Sequence, residues 1–181
     1  MSSRRAVFFD RDGVINRSPG EGYVLRPEDF VLQEGLTPAL QVLREAGVRA
    51  IVVTSQKGVG KGLMSRETLE AIHRRLADEL AAGGVGVDAI YAHLGDGGPD
   101  DYPPKPDPTM ILAAAERFSL DLRQCWLVGD ADRDIAMGQA ANLAGTIRIR
   151  GEKPIAIEAD YTLDSLPEIT ELFRKFYLSR N

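Results

Sequence analysis

Cysteine is almost absent from this 181-residue chain: Cys125 stands alone, and only two histidines, His73 and His93, accompany it. A single cysteine closes no intrachain disulfide and forms no metal motif by itself, so a reducing, cytoplasmic setting is expected. Cationic excess is missing as well. Lys+Arg 22 against Asp+Glu 27 leaves a formal net charge of −5, which argues against a non-specific nucleic-acid binder. No apolar run approaches the roughly 18–20 residues that a membrane span requires, so no membrane partner is expected. The opening Met1-Ser2-Ser3-Arg4-Arg5 is basic, but the apolar run behind it, Ala6–Phe9, ends at Asp10 and is too short for a secretory signal. Internal repeats, linkers and low-complexity tracts are also lacking. With 44% hydrophobic and 27% charged residues, the chain reads as one globular domain over residues 1–181, not as a disordered or fibrous protein.

What is present is an alternation of short apolar runs with longer amphipathic stretches. Ala6–Phe9 predicts a first strand, apolar throughout and so buried on both faces. Thr37-Pro38 predicts the start of a helix running to about Ala46, with Gly47 just past its end. Arg49–Thr54 predicts a second strand. Ser65 caps a helix to about Ala82, with Leu69, Ile72, His73, Leu76 and Leu80 on one face. Ala89–Ala92 is a third strand, and a helix follows Asp107-Pro108 with Ile111, Leu112, Ala115 and Phe118 inward. Trp126–Val128 is a fourth strand, Asp134–Ala141 a helix, Thr146–Ile149 a fifth strand and Tyr161–Leu163 an edge strand. A capping box, Ser165-Leu166-Pro167-Glu168, opens the last helix. This order predicts a three-layer α/β/α, Rossmann-like fold with a central parallel sheet. Two irregular segments, Gly13–Leu36 and Leu94–Pro104, break the alternation, and long irregular connections in a compact domain are often functional.

Ligands of such sheets bind beyond the carboxyl ends of the strands. There the first strand ends in Asp10-Arg11-Asp12-Gly13, the second in Thr54-Ser55-Gln56-Lys57-Gly58, and the fourth in Gly129-Asp130, with Asp132 and Asp134 close behind. Lys105 lies between two prolines just before a helix. Crowded carboxylates repel unless a cation binds, and hard oxygen ligands suit Mg²⁺, held by Asp10, the Asp12 main-chain carbonyl and Asp130. A threonine hydroxyl, loop amides and a lysine suit a phosphoryl group. Asp10 and Asp12, two apart, point to the same side if the backbone stays extended. One can attack phosphorus and the other can move the proton.

These stretches resemble the haloacid-dehalogenase superfamily of phosphohydrolases. The first motif is Phe8-Phe9-Asp10-Arg11-Asp12-Gly13-Val14, the second Val53-Thr54-Ser55, the third Lys105-Pro106 and the fourth Val128-Gly129-Asp130 through Asp134. The resemblance implies Asp10 as nucleophile, Asp12 as general acid/base, Thr54 and Lys105 on the transferring phosphoryl, and Asp10, Asp12, Asp130 and Asp134 around Mg²⁺, with Asp134 a ligand or a partner behind the ligands. Within the superfamily, Asp10 to Asn16, Gly22-Tyr23-Val24, Thr54 to Gly62 and the tail Gly151-Glu152-Lys153-Pro154 are similar to the branch of heptose bisphosphate and histidinol phosphatases. That implies a small phosphorylated substrate, with Arg11, Ser55, Gln56, Lys57 and Tyr23 as substrate contacts and Tyr102 in the wall.

The departures bear on substrate. The branch usually carries a zinc loop of three cysteines and a histidine, whereas Leu94–Pro104 has no cysteine beside His93, so no structural Zn²⁺ is expected. Pro104 and Ala131 stand where the branch has basic residues. Neither irregular segment is long enough for a large cap domain. The expectation is a Mg²⁺-dependent phosphomonoesterase, monomeric, acting first on heptose bisphosphate in surface-polysaccharide synthesis. Histidinol phosphate and broad sugar-phosphate hydrolysis come next, followed by a non-catalytic phosphate binder and a polynucleotide-end phosphatase.

Overall fold

Ala6, Val7, Phe8 and Phe9 are all fully buried, which is what a strand covered by helices on both faces requires. In the computed structural model, which describes residues 4–179, this strand (β1, Ala6–Phe9) lies inside a six-stranded, all-parallel sheet. Of the basic opening stretch, Met1–Ser3 lie outside the described residues. The other strands are β2 (Arg49–Ser55), β3 (Ala89–His93), β4 (Trp126–Gly129), β5 (Gly145–Ile149) and β6 (Tyr161–Leu163), in the order β3-β2-β1-β4-β5-β6. The helices are α1 (Leu36–Glu45), α2 (Arg66–Ala82), α3 (Thr109–Phe118), α4 (Asp132–Ala140) and α5 (Ile169–Tyr177).

The alternation of β1 assigns the layers. Val7 and Phe9 pack with Leu36, Leu40 and Leu43 of α1, Ile72 and Leu76 of α2, and Phe173 of α5. Ala6 and Phe8 pack with Met110, Ile111 and Ala114 of α3 and Met137 of α4 on the opposite face. Each fully buried large apolar side chain contributes roughly 1.5–3 kcal/mol. The fold is therefore the three-layer α/β/α arrangement that the strand–helix alternation requires. Residues 10–35 hold a single 3₁₀ turn, Pro27–Asp29, and isolated bridges of Asn16 with Asp12 and Leu32. Residues 94–108 form a loop, so the described residues include no large cap.

Several local expectations shift by a residue or two. α1 begins at Leu36, because Gly35 adopts φ 87° as its N-cap and presses on Pro167, which places Pro38 third in the first turn instead of first. A proline is tolerated there because first-turn N–H groups have no intrahelical partner. α3 is rotated: Met110, Ile111 and Ala114 fill the core, while Leu112, expected inward, is 46% exposed. α4 starts at Asp132, and the Ser165–Glu168 box closes a 3₁₀ turn ahead of α5. His73, at an apolar-stripe position of α2, makes a polar contact described below. Cys125 is a core residue whose thiol burial pushes up to about 11, so it stays unreactive.

The Leu94–Pro104 loop is organised by one carboxylate. Asp101 accepts the N–H groups of Leu94 (2.7 Å), Gly95 (3.2 Å) and Gly97 (2.8 Å), and His93 Nδ1 turns to the Tyr102 carbonyl at 2.6 Å. Burial opposes ionisation of Asp101, but these amides outweigh it and hold the carboxyl down at about 2. Arg66 of α2 adds a two-pronged bond to Asp96, both arms at 2.7 Å.

Candidate active site

β1 is hydrogen-bonded to both β2 and β4, with Phe9 opposite Val52 and Val128. Asp10, Thr54 and Asp130 therefore leave the sheet within one residue of a common height, at the switch in strand order where open α/β sheets bind ligands. Asp10 is tied down by its own N–H to Val128 O at 2.9 Å. Its Oδ1 accepts from Arg11 N and from Lys105 Nζ, both at 2.8 Å, which leaves Oδ2 clear of these bonds.

Lys105 is buried to its ammonium and bridges Asp10 to Asp134 Oδ1 at 2.7 Å. Asp134 is fully buried, and its Oδ2 accepts from the N–H groups of Asp130 (3.3 Å) and Ala131 (3.0 Å). It thus braces the turn that presents Asp130. Gly13, at φ 92°, lets that turn close: a Cβ there would lie 2.2 Å from Asp130 Oδ2.

Asp10, Asp130 and Asp134 each offer an oxygen within 4.8 Å of the others, all buried. Burial and the charges of Asp134 and Asp130, only partly offset by Lys105, raise the Asp10 carboxyl to about 7. Burial also raises Asp130, against the pull of Lys153. Asp134 is held below the usual range, because Lys105 and the Ala131 N–H outweigh its burial. A set of hard, anionic oxygens under mutual repulsion fits a small divalent cation such as Mg²⁺.

Asp12 does not share the extended geometry that its spacing from Asp10 suggests. The chain turns at Arg11, whose carbonyl accepts the N–H groups of Ile15 (2.8 Å) and Asn16 (3.0 Å). Asp12 Oδ1 receives Arg11 Nε (3.2 Å), Arg11 Nη2 (3.0 Å) and Asn16 Nδ2 (3.0 Å), and Oδ2 receives Gln56 Nε2 (2.9 Å). Burial works to raise this carboxyl, but Arg11, Gln56 and Asn16 hold it below its ordinary value. Gln56 Nε2 also donates to Thr54 Oγ1 at 2.9 Å, so one amide aligns the hydroxyl and the carboxylate together.

Two expected substrate contacts are therefore engaged elsewhere. Arg11 is fully buried on Asp12, and the Gln56 amide nitrogen is committed to Thr54 and Asp12. Ser55 is half-buried at the end of β2, and Lys57 is exposed on the loop beyond it. Tyr23 lies under the Lys61 ammonium, 5.3 Å from its ring centre, while Tyr102 packs edge-on against Tyr91.

Lys153 and Arg148 were not among the expected site residues. Arg148 is buried at the end of β5 and donates to the Asp130 carbonyl (3.3 Å), Asp132 Oδ1 (2.6 Å) and the Ile157 carbonyl (2.8 Å). Asp132 in turn accepts the N–H groups of Ala156 (3.0 Å) and Ile157 (3.1 Å), so it shapes the following loop and is not one of the clustered carboxylates. That loop delivers Lys153 Nζ to both Asp130 oxygens, at 2.8 and 2.7 Å. The one local signal was a lysine between Gly151 and Pro154, just past a strand end. A cavity of about 780 Å³ opens here, lined by Ser18, Gly20, Glu21, Asp130 and residues 151–154.

Because the Lys153 ammonium occupies the lone pairs a divalent cation would use, Lys153→Met is expected to tighten Mg²⁺ binding to the substrate-free protein roughly 3–10-fold, the equivalent of a partly exposed ion pair. Titration calorimetry on wild type and variant measures it, and equal dissociation constants would show that the lysine does not compete.

Known proteins resemble this chain along most of its length. The family model of haloacid dehalogenase-like hydrolases matches residues 19–142. The D-glycero-beta-D-manno-heptose-1,7-bisphosphate 7-phosphatase of Yersinia pestis is 31% identical over 95% of this chain and 96% of its own. The corresponding alpha-anomer phosphatase of Burkholderia mallei is 37% identical over 80% of this chain and 79% of its own. Among solved structures, the D,D-heptose 1,7-bisphosphate phosphatase from B. bronchiseptica, complexed with magnesium and phosphate, superposes with a TM-score of 0.81. It is 28% identical over 94% of this chain and 98% of its own.

Proposed function

Since the chain belongs to the haloacid dehalogenase-like hydrolases and is a phosphatase, we propose that it removes one phosphate from a heptose 1,7-bisphosphate through a phosphorylated Asp10. The observation that carries the chemistry is the convergence of Asp10, Thr54, Lys105 and Asp130 beyond neighbouring strand ends, with Asp12 collared beside them. The substrate rests on relatives of that activity matched along most of both chains.

Asp10 Oδ2, free of the bonds that hold Oδ1, attacks phosphorus as the bond to the leaving oxygen breaks. The charge of the arriving phosphate ester opposes the Arg11, Gln56 and Asn16 bonds that keep Asp12 ionised; once protonated, Asp12 donates that proton to the leaving oxygen, giving the alcohol and an aspartyl-phosphate. Asp12 then takes a proton from water, whose oxygen attacks phosphorus, and inorganic phosphate leaves with Asp10 restored. Thr54 O–H, aligned by Gln56, donates to a phosphoryl oxygen, and Lys105 balances Asp10 and the phosphoryl group from behind. Asp10, Asp130 and the Asp12 main-chain carbonyl would hold Mg²⁺, with Asp134 behind them. Bound there, Mg²⁺ offsets the repulsion between the anionic nucleophile and the anionic ester. Lys57, Lys61 and Lys153 supply the cations near the mouth that suit a second phosphate.

Residues 1–181 act as a single, monomeric domain in this reading, in the cytoplasm, without nucleic-acid or membrane partners; no described helix is long and apolar enough to cross a membrane. Phosphate release with Mg²⁺, from both anomers of the heptose bisphosphate, histidinol phosphate and common sugar phosphates, tests it. At least about tenfold higher kcat/KM for a heptose bisphosphate is expected, and preference for histidinol phosphate or equal rates on all would overturn the substrate assignment.

A further inference from the structure

We propose that His73, acting through Arg11, is a positioning residue that fixes the Asp12 carboxylate for proton transfer to the leaving oxygen; this rests on Asp12 as the acid/base of the reaction proposed above. Arg11 is 0% exposed, so its guanidinium touches no open pocket. Every side-chain bond it makes goes to one of two places. Nε and Nη2 hold Asp12 Oδ1 at 3.2 and 3.0 Å, and Nη1 meets His73 Nε2 at 3.3 Å, across 62 residues of sequence. A guanidinium has only donors, so His73 Nε2 presents its lone pair and carries its proton on Nδ1. Burial, reinforced by the Arg11 charge and opposed by Asp12, keeps the ring neutral by pushing it down to about 3.

The contacts on Asp12 are unequal, and that inequality separates an anchoring oxygen from a reactive one. Oδ1 takes three donors, from Arg11 twice and Asn16 once, whereas Oδ2 takes only the Gln56 amide. Oδ2, with a single donor, is therefore the oxygen left to take up and pass on a proton, and Oδ1 serves as the anchor. A planar guanidinium fixed at both ends sets the tilt of the carboxyl group. With His73 removed, the Arg11 fork keeps one end loose and buried, and Oδ2 loses its aim. A cavity of about 460 Å³ between α2 and the β3 edge is lined by His73, Leu69, Tyr91 and Tyr102, so a replacement ring has room.

The test compares kcat/KM, which reports phosphoryl transfer to Asp10, for a sugar phosphate and for p-nitrophenyl phosphate, whose leaving group departs without a proton. His73→Phe keeps the ring and deletes the lone pair. It is expected to lower kcat/KM for the sugar phosphate roughly 10–100-fold while changing that for p-nitrophenyl phosphate less than about threefold. His73→Gln, which restores an acceptor, is expected to recover most of the loss. Should phenylalanine not be accommodated, His73→Leu gives the same comparison. An equal fall on both substrates, or no fall on either, would overturn the relay. Asp12→Asn serves as the control. If it too shows no dependence on the leaving group, the acid/base reading has failed; if it shows that dependence and the His73 variants do not, the relay alone has failed.

Discussion

Asp10→Asn is expected to lose at least about 10⁴-fold in kcat on any phosphate monoester while keeping its fold, because an amide neither attacks phosphorus nor returns as a leaving carboxylate. The asparagine oxygen still accepts from Arg11 N–H and Lys105, so the local bonds survive. Stability provides a second signature. Burial and the neighbouring Asp134 charge raise the Asp10 carboxyl from 3.8 to about 7. A group raised in the folded state contributes stability that is fully present below its unfolded value and is lost as pH rises through the folded one. In metal-free protein, the melting temperature of Asp10→Asn relative to wild type should therefore climb between about pH 4 and pH 7 and then level off, a span worth a few kcal/mol. Thermal melts across that range in chelator measure it. A difference that is flat with pH would mean the three carboxylates do not repel as their spacing requires.

The second large effect is Lys105→Met. A fully buried ammonium pinned at 2.8 Å from Asp10 and 2.7 Å from Asp134 cannot be removed without leaving both charges uncompensated. Breaking such a buried network costs about 3–5 kcal/mol, equivalent to a fall in melting temperature of roughly 10 °C for a chain of this size. The loss should be smaller at pH 5 than at pH 8: without Lys105 the Asp10 carboxyl moves above its raised value of about 7, and keeping a proton there to relieve the repulsion costs more as pH rises. It should also shrink on adding Mg²⁺, which supplies charge to the same oxygens. Activity falls with it, since the phosphoryl group loses its cation from behind. A variant as stable as wild type at pH 8 in chelator would show that Lys105 is not the counter-charge its position makes it.

The strand ends were legible because they are local. An apolar run that stops at an aspartate, or at Thr54, announces both the strand and the group it delivers. Parallel pairing then needs no further information to bring Asp10, Thr54 and Asp130 together. Lys105 was legible for a related reason: flanked by Pro104 and Pro106, it stands at a helix entrance that the fold turns toward the site. What surrounds Asp12 was not. His73 occupies an apolar stripe position of α2, where periodicity alone reads core, and its contact with Arg11 depends on how far α2 leans over β1 and β2. Arg11 sits between the two key aspartates and reads as a substrate cation until its burial is known. Lys153 reaches Asp130 only because Arg148 and Asp132 fold the intervening loop back, an arrangement that no spacing encodes. Leu112 illustrates the finer limit: α3 packs through Met110, Ile111 and Ala114, and the neighbouring Leu112, equally apolar, is turned outward by a rotation of the helix that composition does not encode.

The most direct test of the account is to look for the phosphoryl group on Asp10. Asp12→Asn should let Asp10 attack a substrate with a good leaving group yet slow the water step. Acid quenching during turnover of p-nitrophenyl phosphate with Mg²⁺, followed by peptide mass spectrometry, should then find the peptide containing Asp10 carrying one added phosphoryl group, absent from Asp10→Asn. Turnover with no acyl-phosphate on that peptide, or with the phosphoryl group on a residue other than Asp10, would contradict it.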